Sequence, residues 1–99
     1  MPDQEQQQEK KRFRAVVHGR VQGVNFRSST LRQAQSLGLV GYVRNRWNGT
    51  VEVVAEGEEN ALRKLASWLH MGPSLAHVSR VELYWEAARG EFAEFEVRF

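Results

Sequence analysis

The sequence predicts an α+β domain in which two helices pack on one face of a mainly antiparallel sheet, in the order βαββαβ plus a short terminal strand. Three observations carry this. Strand-like runs recur at 13–18, 39–45, 50–55, 78–85 and 95–99, and the first, fourth and fifth alternate apolar with polar residues. Two stretches, 26–37 and 58–70, instead space their apolar residues at the helical period. Between them stand the marks of short connections: Gly38, Asn48-Gly49 and Gly72-Pro73. Amphipathic helices and half-polar strands pack as a helical layer over one face of a sheet. The order is that of the split β-α-β, or ferredoxin-like, arrangement.

Composition bounds the reading. A chain of 99 residues has room for one small domain. Its 41% hydrophobic and 26% charged residues fit an ordinary soluble globular protein. It contains no cysteine, which excludes a disulfide framework, a thiolate metal site and a cysteine nucleophile. No apolar run is long enough to span a membrane or to form the core of a signal peptide. The formal charge of +2, supplied mostly by arginine, is too small to indicate a nucleic-acid partner but gives a mild attraction for anions. A monomeric, cytoplasmic protein without metal or cofactor is expected.

Residues 1–11 are polar, rich in Gln and Glu, and without apolar periodicity, so they read as a disordered tail preceding a domain over 12–99. Within the strand at 13–18, Phe13, Ala15 and Val17 should face the core and His18 the other side, as a solvated strand-end residue. In the first helix Thr30, Ala34 and Leu37 share a face, and Gly38 suits the residue after its end. The strand at 39–45 turns at Asn48-Gly49 into 50–55, which Gly57 should break. In the second helix Ala61, Leu62, Leu65, Trp68 and Leu69 form the apolar stripe, with Glu58 and Glu59 at its start and His70 at its end. Val81, Leu83 and Trp85 share a face of the next strand, as do Phe95, Val97 and Phe99 of the last.

The functional signal lies between the first strand and the first helix, in His18-Gly19-Arg20-Val21-Gln22-Gly23-Val24-Asn25-Phe26-Arg27. Two glycines in a loop there allow successive backbone N–H groups to turn inward as an anion nest. The following helix adds its free N–H groups and positive dipole end, and Arg27 a guanidinium fork matched to a phosphate. By spacing alone, a phosphate-binding loop and a plain strand–helix turn with a solvated arginine both remain open. Topology adds a partner. In the split arrangement the third strand lies between the first two, so the loop and Asn45 leave the same edge of the sheet, roughly 10 Å apart.

The run Gly19 to Arg27 resembles the first signature of the acylphosphatase family. Gly41-Tyr42-Val43-Arg44-Asn45, followed by Gly49, Val51 and Gly57, resembles its second. The likeness extends from about Arg12 to the closing Phe95-Glu96-Val97-Arg98-Phe99, while Ser29 stands where the family often has an aromatic or large apolar residue. The resemblance implies hydrolysis of the carboxyl–phosphate bond of small-molecule acyl phosphates, with phosphate or sulfate as a site ligand. It also implies that Arg27 and the loop Arg20, Val21, Gln22, Gly23, Val24, Asn25 and Phe26 hold the phosphoryl group, and that Asn45 orients the attacking water.

The residue types agree with that chemistry. The two motifs hold no Cys, Asp or Glu to form a phospho-enzyme or bind Mg²⁺. Asn45 is a neutral amide that can orient water but cannot serve as a base. Positioning and electrostatics must then act alone, which suits a leaving group that departs unaided, such as a carboxylate. The common RNA-recognition domain shares the arrangement but stacks bases on aromatics of its two central strands. Here 50–55 has none and 13–18 only Phe13, assigned to the core. Whether His18, Tyr42 or Trp47 borders the site is left open by the sequence.

Overall fold

The computed structural model describes residues 9–99. The elements run β1 (Lys10–Arg20), α1 (Phe26–Ser36), β2 (Val40–Asn45), β3 (Val51–Glu58), α2 (Glu59–Leu69), β4 (His77–Ala87) and β5 (Phe95–Arg98). The five strands form one sheet in the order β4-β1-β3-β2-β5. All neighbours are antiparallel except β2 and β5, which run parallel. As expected, β3 lies between β1 and β2, and these two point the same way.

Both helices lie on one face. Phe13, Ala15, Val17, Val43, Val51, Val53, Ala55 and Phe95 of the sheet meet Phe26, Ala34, Leu62, Leu65 and Leu69 of the helices in one core. Trp68 packs at its margin, 5.7 Å from Phe26 between ring centroids. Full burial of side chains of this size is worth about 1.5–3 kcal/mol each, so this layer is the main source of cohesion. It also anchors the start of α1, and with it Arg27.

The uncovered face is held by charge. Glu52 and Glu56, on central β3, are buried there. Arg14 and Arg44 clamp Glu52 from the two neighbouring strands, while Arg12 and the amides of Arg89 and Gly90 bind Glu56. Burial alone would raise both carboxyl pKa values. The hydrogen bonds from these donors outweigh it and hold both carboxyls below the ordinary 4.5.

Two expectations are corrected. The polar tail expected over 1–11 lies outside the described residues through residue 8, but Lys10 and Lys11 belong to β1, opposite Glu58 and Gly57. Their charge does not prevent strand formation, because β3 supplies a ladder partner to both and β4 a second one to Lys11. Gly57 does not break β3, which continues to Glu58. Its missing side chain leaves room for Leu39, whose Cδ2 would lie 2.5 Å from a Cβ at that position.

Candidate active site

Residues 21–25 join β1 to α1 at the end of the sheet where β2 also ends. Gly23 (φ 76°) and Asn25 (φ 64°) are left-handed, with Val24 between them not. Such alternation of hand turns successive N–H groups toward one side. Asn tolerates this conformation better than other residues with a Cβ, and here Asn25 precedes the first helical residue without capping the helix through its side chain. The first backbone bond of α1 runs from Ser29 N to Asn25 O, 3.0 Å. Among the described residues, none of the turn and cap hydrogen bonds draws on the N–H groups of Gln22, Gly23, Val24 or Asn25. An anion facing this loop therefore meets unused donors and the positive end of α1 together.

The loop is tied across the sheet. Gln22 Nε2 donates to the carbonyls of Arg46 (2.7 Å) and Thr50 (3.0 Å), both in the β2–β3 hairpin. The hairpin is closed by Arg46 N to Thr50 O and by Asn48 Oδ1, which accepts from the amide and hydroxyl of Thr50. Gln22 therefore fixes the loop relative to Asn45, one residue before Arg46.

Between the loop, the start of α1 and the ends of β2 and β5 opens a cavity of about 420 Å³, lined by Val21, Gly23, Asn25, Phe26, Arg27, Ser28, Asn45, Val97 and Phe99. Arg27 is its one formally charged side chain, and no carboxylate pairs with it among the described residues. Asn45 Oδ1 is buried and accepts no hydrogen bond from the described residues. A buried amide oxygen without a partner is costly.

Of the residues singled out from the sequence, Val21, Gly23, Asn25, Phe26, Arg27 and Asn45 line the cavity together. Gln22 serves instead as the tie to the hairpin, and half-buried Val24 packs against the core. Arg20 is exposed, opposite His77 of β4, and is not part of the lining. His18 lies beside Arg80 and Glu82, Tyr42 stacks under Arg98 on the uncovered face, and Trp47 is exposed at the hairpin. None of the three borders the cavity. Ser28, Val97 and Phe99 do, and sequence reasoning did not assign them to the site. For Phe99 the signal was available in its alternation with Arg98, which turns it to the helical face. Despite Ser29, the first turn of α1 packs through Phe26 against Trp68.

Fold and cavity define a class: a ferredoxin-like domain with an anion-attracting hollow where its two like-directed strands end. Comparisons with known proteins narrow it. The family model for acylphosphatase matches residues 13–97. A curated acylphosphatase of Pelotomaculum thermopropionicum is 48% identical over 88 residues, covering 89% of this chain and 96% of that one. The crystal structure of an acylphosphatase from Bacillus subtilis superposes with a TM-score of 0.87 at 32% identity, covering 90% of this chain and 99% of its own. The structure of an acylphosphatase from Coxiella burnetii does so at 0.86 and 38%, covering 99% and 100%. The chain belongs to the acylphosphatase family, hydrolases that act on acyl phosphates.

Proposed function

We propose that the cavity of Arg27 and Asn45 is the place where this protein hydrolyses acyl phosphates, and that it does so without a metal. The observation that carries the reading is that one hollow is lined both by an unneutralised guanidinium and by an asparagine whose amide oxygen has no hydrogen-bond partner among the described residues. The phosphoryl group lies in the nest of loop amides and against the Arg27 fork. These donors are fixed before substrate arrives and face the oxygens on which charge builds.

The side-chain amide of Asn45 holds the attacking water by hydrogen bonding, with a lone pair of that water directed at phosphorus. The water oxygen bonds to phosphorus as the bond from phosphorus to the acyl oxygen breaks, and the carboxylate leaves with the electron pair. No side chain of the lining can act as general acid or base near neutral pH. The leaving carboxylate, whose acid has a pKa near ~4, needs no proton. The proton of the water passes to a phosphoryl oxygen of the substrate itself. A sugar or serine alkoxide would need an acid that this lining does not offer, so phosphomonoesters are excluded as good substrates.

The same reading takes inorganic phosphate and sulfate as ligands of the cavity. It takes the enzyme as a cytoplasmic monomer. It assigns no role to nucleic acid: Phe13, the one aromatic on the two central strands, is buried. Titration with phosphate tests the site. Amide resonances of Val21 to Phe26 should shift at millimolar phosphate, and an unmoved loop would remove the cavity from the reaction.

A further inference from the structure

Arg27 has neither an ion-pair partner nor a side-chain hydrogen bond among the described residues. What it does have is a ring: its Cζ lies 4.8 Å from the centroid of Phe99, within the range of a cation–π contact. The kind of partner matters here. A carboxylate would occupy the N–H edge of the guanidinium and cancel its charge. An aromatic ring holds the planar face and leaves the N–H donors of the fork free for a phosphoryl group.

The residue before Phe99 is held in place. On the uncovered face Arg98 stacks on Tyr42 at 4.2 Å and donates to Glu96 at 2.7 Å, and the parallel register sets Arg98 opposite Arg44. Successive side chains of a strand point to opposite faces. Fixing Arg98 on the uncovered face therefore turns residue 99 to the helical face, over Arg27. The ring also forms, with Val97, an apolar lip of the cavity. With the phosphoryl group at the loop amides and Arg27, as proposed above, the acyl group extends along that lip.

We propose that Phe99 is a positioning and specificity-determining residue for acyl phosphate hydrolysis. Its ring holds the Arg27 guanidinium above the cavity with the fork open, and it offers an apolar wall that favours substrates with flat apolar acyl groups over those with small ones. This inference rests on the assignment of the cavity as the site of hydrolysis.

The test compares Phe99→Leu, Phe99→Trp and Arg27→Ala with the unaltered protein, using benzoyl phosphate and acetyl phosphate as substrates and inorganic phosphate as ligand. Phe99 is almost fully exposed, so none of its variants should unfold the protein. In Phe99→Leu, phosphate affinity should fall about two- to fivefold, the fold-change of an exposed cation–π contact. Its preference for benzoyl over acetyl phosphate, as a ratio of kcat/KM, should fall severalfold, mainly through KM for benzoyl phosphate. Phe99→Trp should restore both. Unchanged affinity and preference in Phe99→Leu, or a Phe99→Trp as poor as Phe99→Leu, would overturn the proposal. The Arg27→Ala arm separates the two readings. If its turnover collapses while Phe99→Leu behaves as the unaltered protein, only the role of Phe99 fails. If Arg27→Ala turns over normally, the assignment of the cavity fails and the role of Phe99 with it.

Discussion

The side-chain amide of Gln22 donates to the backbone carbonyl of Arg46 across 2.7 Å, joining the loop after β1 to the residue that follows Asn45. Two parts of the site that lie 24 positions apart in the chain are thereby set in one frame. Gln22→Ala removes this tie and the second bond to Thr50, while both carbonyls keep a backbone partner in the hairpin. Stability should therefore fall by only about 1 kcal/mol per lost bond. Turnover should fall further, between about tenfold and a hundredfold, because small misplacements of reacting groups are costly. Gln22→Glu keeps the shape but cannot donate, and should be at least as poor. Turnover of Gln22→Ala equal to that of the unaltered protein would show that the tie does not position the site.

Arg27→Lys should not rescue Arg27→Ala. Lysine keeps the charge but loses the planar fork, and loss of a single transition-state donor typically costs on the order of 10²–10³ in rate. Phosphate affinity should weaken in both variants, because in the proposed mechanism the same fork holds the ground-state phosphoryl group. A near-normal Arg27→Lys would mean that charge alone suffices.

Asn45→Ala should separate turnover from binding, since in the proposed mechanism Asn45 serves the water while Arg27 and the loop serve the phosphate. Turnover should collapse with phosphate affinity and melting temperature almost unchanged. Asn45→Asp should be equally slow and should bind phosphate worse, because a second anion now faces the first. If aspartate preserves or raises turnover, the residue acts as a base. If folded Asn45→Ala turns over normally, the residue caps the strand and takes no part in the reaction.

Stability should fall in acid. Glu52 and Glu56 have carboxyl pKa values below the ordinary 4.5 in the folded chain, because the arginine and amide hydrogen bonds outweigh burial. A depressed carboxyl contributes stability that is fully present above its unfolded value and is lost as pH falls through its folded value. Urea midpoints should thus hold near pH 7, decline from about pH 4.5 downward, and continue to decline as the buried carboxylates protonate. Glu52→Gln should cost about 1.5–3 kcal/mol at neutral pH, the scale of charged hydrogen bonds, and should flatten the acid limb. An acid limb unchanged in Glu52→Gln would assign the loss to other groups.

Much of this was legible in the sequence, and the exceptions share a cause. The order of elements, the core set Phe13, Ala15 and Val17, and the sharing of one sheet edge by the loop and Asn45 follow from local periodicity and from the rule that a helix crossover joins like-directed strands. What was missed depends on contacts between distant segments. Lys10 and Lys11 look like tail residues until β3 is placed beside both and β4 beside Lys11. Gly57 looks like a breaker until Leu39 fills the space above it. Gln22 reads as one more loop amide, since nothing local shows that its side chain is spent on the hairpin. The same holds for Phe99, whose partner Arg27 lies 72 residues earlier and on another layer.

The central claim is that Arg27 and Asn45 together hydrolyse acyl phosphates with no metal. It is met most directly by one measurement: phosphate release from benzoyl phosphate by the unaltered protein, Arg27→Ala and Asn45→Ala, each with and without EDTA. The unaltered protein should turn over equally in both conditions, and both variants should lose at least about a hundredfold. Loss of activity with EDTA that Mg²⁺ restores, or full activity in either folded variant, would contradict it.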